Sequence, residues 1–113
     1  MSRAETSGVP SLGIDELEKR MQAGAFLLDV RQPDEYREAH VPGANLVPLD
    51  QLESRLAELP KDVTILCVCR SGARSFKAAE LLRSRGFDAV NVEGGTLAWI
   101  DSGRPIAVGD SRE

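Results

Sequence analysis

The residues best suited to chemistry lie in one short run, CRSGARS, which begins at Cys69. A cysteine thiolate is a nucleophile, and nearby cations and backbone N–H groups favour it over the neutral thiol. The glycine of the run permits a tight curl, while the arginines and serines supply positive charge and hydroxyl donors. We therefore expect Cys69 to be an ionised sulfur held in an anion-binding loop. The residues expected to form this loop are Arg70, Ser71, Gly72, Ala73, Arg74 and Ser75.

Such a loop needs a strand before it and a helix after it. Residues 63–68 read VTILCV, which predicts a buried strand, and the apolar residues that follow recur with a helical period until Gly86. Cys69 then lies at the carboxyl end of a strand, where the first N–H groups of the helix face the same concavity. Cys67 lies two residues earlier on the same strand, so we expect it deeper in the core and in a packing role.

Strands and helices alternate along the rest of the chain. Short apolar runs predict strands near residues 9–12, 25–30, 44–47 and 88–92. Helical patterns predict helices at 13–24, 32–38 and 50–59, the last capped by Asp50, and a final helix containing Trp99. This alternation predicts an α/β fold with a parallel sheet between two layers of helices, in which ligands bind beyond the carboxyl ends of the strands.

Composition narrows the class of protein. A chain of 113 residues with 42% apolar residues fits one folded domain. Its net charge of −4 argues against nucleic-acid and anionic-membrane partners. Neither a membrane-spanning run nor a secretory signal is evident, so a cytoplasmic protein is expected. Cys67 and Cys69 are too close for a good disulfide, and with one histidine they cannot complete a four-ligand zinc site without carboxylates or a partner chain; two free thiols and no metal are expected.

Three segments together resemble the rhodanese family of sulfurtransferases. CRSGARS is similar to its active-site loop, and DVRQPDEYREAHVPGANLVPL, from Asp29, is similar to its Asp-Val-Arg and His-Ile-Pro-Gly-Ala signatures. NVEGGTLAWIDSGRPI, from Asn91, is similar to its closing Gly-Gly-x-x-x-Trp segment. The resemblance implies a three-layer rhodanese fold with a parallel sheet of about five strands flanked by helices. It places a flexible arm at residues 1–8, the rhodanese domain at 9–109 and a tail at 110–113.

The resemblance also implies a reaction. Cys69 would take a sulfane sulfur from a small anionic donor such as thiosulfate and pass it, through a persulfide, to cyanide, a thiol or a protein. The loop amides from Arg70 to Arg74 would stabilise the bound anion, and Arg74 would close the loop. Asp29 and Arg31 would brace or line the pocket. No cofactor, metal, nucleic-acid or membrane partner is implied, and a monomer or weak homodimer is expected.

Two other functions remain open at this point. A cysteine phosphatase or arsenate reductase uses a C-x5-R loop, whereas Cys69 and Arg74 give C-x4-R, a ring of amides too small for a tetrahedral phosphate. A non-catalytic binding or stress-response module is the other, although such family members can lack the cysteine that is present here.

His40 is expected to make a structural hydrogen bond rather than act as a base, and Glu35 is expected to bond backbone near the HVPGA turn.

Overall fold

The structure of this protein is a computed structural model that describes residues 8–113. Five short strands form one sheet in it. The strands are β1 (Ser11–Leu12), β2 (Phe26–Asp29), β3 (Asn45–Leu46), β4 (Ile65–Val68) and β5 (Ala89–Val92). They pair in parallel throughout, in the spatial order β1-β5-β4-β2-β3. The predicted five-stranded parallel sheet is confirmed. Of the predicted arm at 1–8, residues 1–7 lie outside the described residues.

Helices cover both faces of the sheet. They are α1 (Ile14–Gln22), α2 (Pro33–Glu38), α3 (Leu49–Leu52), α4 (Ala73–Ser84) and α5 (Gly95–Asp101), with a 3-10 helix at Glu53–Glu58. One buried cluster joins the sheet to α3 and α4 and contains Leu52 and Leu82. The other contains Leu17, Leu27 and Trp99 and joins the opposite face to α1 and α5. The sheet is therefore buried on both sides, as a parallel sheet requires.

The helix predicted at 50–59 is wrong in its start and in its regularity. The α-helix begins at Leu49 after Pro48, so Asp50 lies in the first turn and its side chain makes no cap hydrogen bond. Beyond Leu52 the chain tightens into the 3-10 helix, where Arg55 has φ −116° and ψ 18°. The Arg55 guanidinium bonds the side chains of Glu58 and Gln51, at 2.9 and 3.1 Å. These side-chain contacts accompany a conformation that helix periodicity does not reveal.

His40 is buried and both of its ring nitrogens face backbone carbonyls. Nδ1 lies 2.7 Å from the Tyr36 oxygen and Nε2 lies 2.8 Å from the Ser111 oxygen. His40 therefore ties α2 to the segment near the C-terminus, which is the structural role expected of it. Gly43 N donates to the Arg112 oxygen at 2.8 Å, so the predicted tail at 110–113 contacts the body of the domain. No helix within residues 8–113 is long and apolar enough to cross a bilayer.

Candidate active site

Cys69 follows the last residue of the central strand β4 and lies at the bottom of the loop that leads into α4. Its side chain is 1% exposed. The Gly72 amide donates to Sγ at 3.1 Å, and the Ser75 hydroxyl lies 3.3 Å from the same sulfur. Gly72 has φ +121°, a conformation that side-chain-bearing residues rarely adopt, and this turn brings its N–H back toward the sulfur. The loop and the first turn of α4 therefore converge on one atom.

The electrostatics of the loop favour the thiolate. Burial raises the pKa of the Cys69 thiol, but hydrogen bonds from the Ser75 hydroxyl and from loop amides outweigh it, so the pKa lies below its ordinary value. These amides belong to Ser71, Gly72 and Ser75. An ionised sulfur is the stronger nucleophile and the better leaving group in sulfur exchange.

Cys67 differs from Cys69 although it lies two residues away on the same strand. It is fully buried within the cluster between the sheet and α4. Burial, followed by the nearby charge of Cys69, raises the pKa of Cys67 to about 12. Cys67 is therefore a neutral thiol that packs in the core, as the strand pattern indicated. Both cysteines are free.

Arg74 forms a bidentate ion pair with Glu35 from α2. Its Nη1 and Nη2 donate to the two carboxylate oxygens at 2.7 and 2.9 Å. Glu35 also accepts from the Gln32 backbone N–H at 3.0 Å, in the capping box that opens α2. Glu35 bonds backbone as expected, but at Gln32 at the start of its own helix and not near the HVPGA turn, and the same carboxylate joins α2 to α4. The pair holds the Arg74 guanidinium beside the loop, and its charge acts on Cys69.

Acidification is expected to weaken the Glu35–Arg74 pair. The hydrogen bonds from Arg74 lower the pKa of Glu35 from an ordinary 4.5 to about 2. A carboxylate with a depressed pKa stabilises the fold above its unfolded-state pKa, and that contribution is lost as the pH falls through the folded-state pKa. Between pH values of about 4.5 and 2, urea titrations should show the wild type losing about 1–2 kcal/mol more free energy of unfolding than Glu35→Gln, since both partners are partly exposed.

The exposed Glu38 on the same helix is the control for this titration. Glu38→Gln should keep the wild-type dependence of stability on pH. If Glu35→Gln and the wild type lose stability in parallel over this range, the ion pair does not contribute to folding.

Asp29 and Arg31 lie at the end of the neighbouring strand β2. Asp29 is fully buried, and its carboxylate accepts from the Arg31 backbone N–H, Nε and Nη2 at 2.9 to 3.2 Å. Arg31 Nη2 also donates to the Ala39 oxygen at 2.8 Å. A buried pair of this kind needs such additional hydrogen bonds to offset its desolvation. Asp29 thus braces Arg31, and Arg31 in turn borders a cavity beside the loop.

That cavity has a volume of about 170 Å³. Arg31 and Arg70 contribute cationic groups to its lining, Glu35 and Glu38 contribute carboxylates, and Leu97 and Ile100 from α5 contribute apolar surface. Arg70 is exposed, in contrast to Arg74. Arg31 is paired with Asp29, so the exposed Arg70 is the arginine of this lining that a small anion can approach from solvent. Ala39 and Thr96 also line this cavity.

Gly95 allows α5 to approach the loop closely. Thr96 N donates to the Cys69 oxygen at 2.9 Å, and Leu97 N donates to the Arg70 oxygen at 3.1 Å. A Cβ on Gly95 would lie only 2.6 Å from the Cys69 oxygen and 2.5 Å from the Arg70 oxygen, and the φ of Gly95 is +61°. The amino end of α5 thus satisfies the outward-facing carbonyls of the loop, which leaves loop N–H groups turned toward the sulfur.

The structure brings the predicted loop residues together around Cys69, but not in equal roles. The sulfur is surrounded by Gly72, Ser75 and the amide of Ser71, whereas Arg70 is exposed and Arg74 is paired. Sequence reasoning missed Asn91, whose Oδ1 lies 2.6 Å from the Ser75 Oγ. A polar residue in the otherwise apolar strand AVNV is the signal that could have identified it. Within residues 8–113, no group of three His, Cys, Asp or Glu side chains could hold a metal ion.

Comparison with known proteins agrees with this geometry. Residues 13–102 match the family model described as the rhodanese-like domain. The chain is 40% identical over 82 residues to a protein named sulfurtransferase from Allochromatium vinosum, a match that covers 72% of this chain and 77% of the relative. It is 36% identical over 123 residues to thiosulfate sulfurtransferase 18 of Arabidopsis thaliana, covering 93% and 88% of the two chains.

Solved structures give the same result. A rhodanese-like domain protein from Staphylococcus aureus superposes with a TM-score of 0.81 at 35% identity, over 90% of this chain and 100% of that one. Other relatives are longer, and the chain spans only 55% and 22% of two of them, so the same domain also forms part of larger proteins. A family match over residues 13–102, a shared fold and a cysteine loop at the carboxyl end of the central strand lead to one conclusion: the chain belongs to the rhodanese family.

Proposed function

We propose that this protein is a sulfurtransferase that carries a sulfane sulfur on Cys69 as a persulfide. The observation that carries the proposal is the environment of Sγ, which receives a hydrogen bond from the Gly72 amide at 3.1 Å and lies 3.3 Å from the Ser75 hydroxyl. Relatives named sulfurtransferases support the same reaction class. A terminal persulfide sulfur is also anionic, so donors that favour the thiolate would favour the loaded form.

Loading follows from the chemistry of the thiolate. Cys69 attacks the outer sulfur of an anionic donor, for which we propose thiosulfate. A bond forms between Sγ and that sulfur, the donor's sulfur–sulfur bond breaks, and sulfite leaves with the electron pair. The exposed Arg70 supplies positive charge beside the loop for the incoming anion, whereas the charge of Arg31 is paired with Asp29 and its side chain borders the same cavity.

Unloading returns the enzyme to its starting state. A nucleophilic acceptor, for which we propose cyanide, a thiol or a protein, attacks the outer sulfur of the persulfide. The bond between the two sulfurs breaks, and Cys69 leaves as a thiolate stabilised by the loop. A low thiol pKa makes this departure fast. No oxidant or reductant is consumed, because the sulfane sulfur keeps its oxidation state.

Intact-protein mass spectrometry tests the proposal. Purified protein incubated with thiosulfate should gain the mass of one sulfur atom, and cyanide should remove it and release thiocyanate. Absence of the adduct with thiosulfate, with a thiol persulfide and with a loaded cysteine desulfurase would contradict sulfur transfer and leave the binding-module hypothesis. Appreciable turnover of an aryl phosphate without any adduct would favour the phosphatase hypothesis instead.

A further inference from the structure

The Ser75 hydroxyl has more possible acceptors than it has protons. Its Oγ lies 2.6 Å from Asn91 Oδ1, 3.2 Å from the Gly72 oxygen and 3.3 Å from Cys69 Sγ. A serine hydroxyl carries one proton and can donate one hydrogen bond. Ser75 is fully buried, so water does not supply a second donor at this position. Whatever fixes the direction of this proton decides whether the sulfur receives it.

The orientation with Asn91 Oδ1 toward Ser75 matches a neutral thiol. The hydroxyl then donates to Asn91 over the shortest of the three distances, and the oxygen lone pair faces Sγ and can accept from S–H. A thiolate in the same place competes with Asn91 Oδ1 for the single Ser75 proton, and Asn91 is the nearer acceptor. The hydrogen bond from Ser75 that lowers the pKa of Cys69 is therefore strongest when Asn91 donates to Ser75 instead of accepting from it.

We propose that Asn91 is a positioning residue. By turning its side-chain amide, Asn91 sets whether the Ser75 hydroxyl donates to Asn91 or to the sulfur of Cys69. When Cys69 releases its proton to water, a half-turn of the amide presents Nδ2 to Ser75. Nδ2–H then donates to the Ser75 oxygen, and the hydroxyl donates to the thiolate or to the inner sulfur of the persulfide. The inference rests on the proposed role of Cys69 and assigns to β5 a part in controlling its charge.

The position of Asn91 suits this role. It pairs with Cys67 across the parallel ladder of β4 and β5, and paired residues of neighbouring strands face the same side of the sheet. Cys69 lies on that side too, two residues beyond Cys67. The backbone N–H of Asn91 is held by the Pro10 oxygen at 2.9 Å, so the strand stays fixed while the side chain turns.

The amide also has room to turn. Its two ends are nearly equal in size, so a half-turn exchanges donor and acceptor without changing the packed volume. Asn91 is 6% exposed and borders an open cavity of about 450 Å³ together with Gly72 and Lys77. Water in that cavity can pair with whichever end of the amide faces away from Ser75.

Other groups act on the charge of the sulfur independently of Asn91. Arg74 from α4 interacts with it favourably, and the Cys67 thiol lies next to it on β4. The loop amides come from Ser71, Gly72 and Ser75. A test must therefore separate the Asn91 contribution from these, which a change on β5 alone can do.

The test is the pH dependence of Cys69 alkylation by iodoacetamide, which reports the thiolate fraction and needs no sulfur transfer. Asn91→Leu removes both donor and acceptor at similar size, and the midpoint should rise by about one pH unit, a tenfold fall in thiolate at lower pH. If Asn91 only competes with the sulfur for the Ser75 proton, the midpoint will fall. An unchanged or lowered midpoint overturns the proposal. Asn91→Ala serves as a second variant if the leucine protein does not fold.

A double-mutant cycle shows whether Asn91 acts through Ser75. Ser75→Ala should raise the midpoint, and adding Asn91→Leu to it should raise it no further. Additive increments would overturn the proposal. Asn45→Leu is the matched control, because Asn45 is a half-buried amide on β3 that bonds the Leu27 oxygen; its midpoint should stay at the wild-type value. Because alkylation is measured without a sulfur donor, failure of this test and failure of the proposed function are distinguishable.

Discussion

Cys69→Ser is expected to abolish the sulfur adduct and to lower thiosulfate-to-cyanide turnover by roughly 10³-fold or more. A serine hydroxyl is not ionised near neutral pH, and its oxygen cannot form a persulfide. The loop donors that act on the sulfur would remain, since Gly72 and Ser75 are unchanged. Intact mass and thiocyanate release measure the two effects separately.

Cys67→Ala is the control for that experiment. Cys67 is a buried neutral thiol, so its truncation should cost about 1–2 kcal/mol of stability through lost packing. The adduct should still form, at its full stoichiometry. An adduct that persists in Cys69→Ser and disappears in Cys67→Ala would show that Cys67, and not Cys69, carries the sulfur, which would contradict the proposal.

Gly95→Ala is expected to damage both stability and the loop. The added Cβ would lie 2.5 Å from the Arg70 oxygen and 2.6 Å from the Cys69 oxygen, closer than any real contact, and the residue has φ +61°. Either α5 or the loop must move, at an expected cost of about 2–4 kcal/mol in the free energy of unfolding. Urea denaturation measures that cost. The rate of adduct formation should also fall, because the loop carbonyls lose the Thr96 and Leu97 amides.

Gly103 provides the matched control for Gly95. It also has a positive φ, +80°, but a Cβ there would have no neighbour within 4 Å. Gly103→Ala should therefore cost only the backbone term of about 1–2 kcal/mol and leave adduct formation unchanged. Equal losses in the two variants would mean that backbone strain, and not the approach of α5 to the loop, explains the requirement for Gly95.

The strand, loop and helix around Cys69 were predictable because the information is local. An apolar run, a glycine and a helical period follow one another along residues 63–86, and parallel pairing places their junction at one edge of the sheet. The same local reasoning identified Cys67 as a packing residue. It overestimated the regularity of the helix at 50–59, because the spacing of apolar residues does not show the change to a 3-10 helix after Leu52.

The contacts that complete the site are distant in sequence and could not be predicted in this way. Glu35 meets Arg74 across 39 positions, and Asn91 meets Ser75 across 16. In neither pair does the local sequence around one residue indicate its partner. From the sequence, Gly95 was identified only within the segment that resembles Gly-Gly-x-x-x-Trp, whereas its requirement comes from carbonyl oxygens of another segment. Such pairings depend on how strands and helices pack, which periodicity does not specify.

The amides of Thr96 and Leu97 bond the carbonyls of Cys69 and Arg70. The length of the Cys69 loop and the position of α5 therefore depend on each other. Inserting a single residue after Cys69, to imitate the longer loop of a phosphatase, would move the Arg70 carbonyl away from the Leu97 N–H that bonds it. Converting one chemistry into the other by engineering would therefore require a compensating shift at the Gly94–Gly95 corner. The two edits have to be made together.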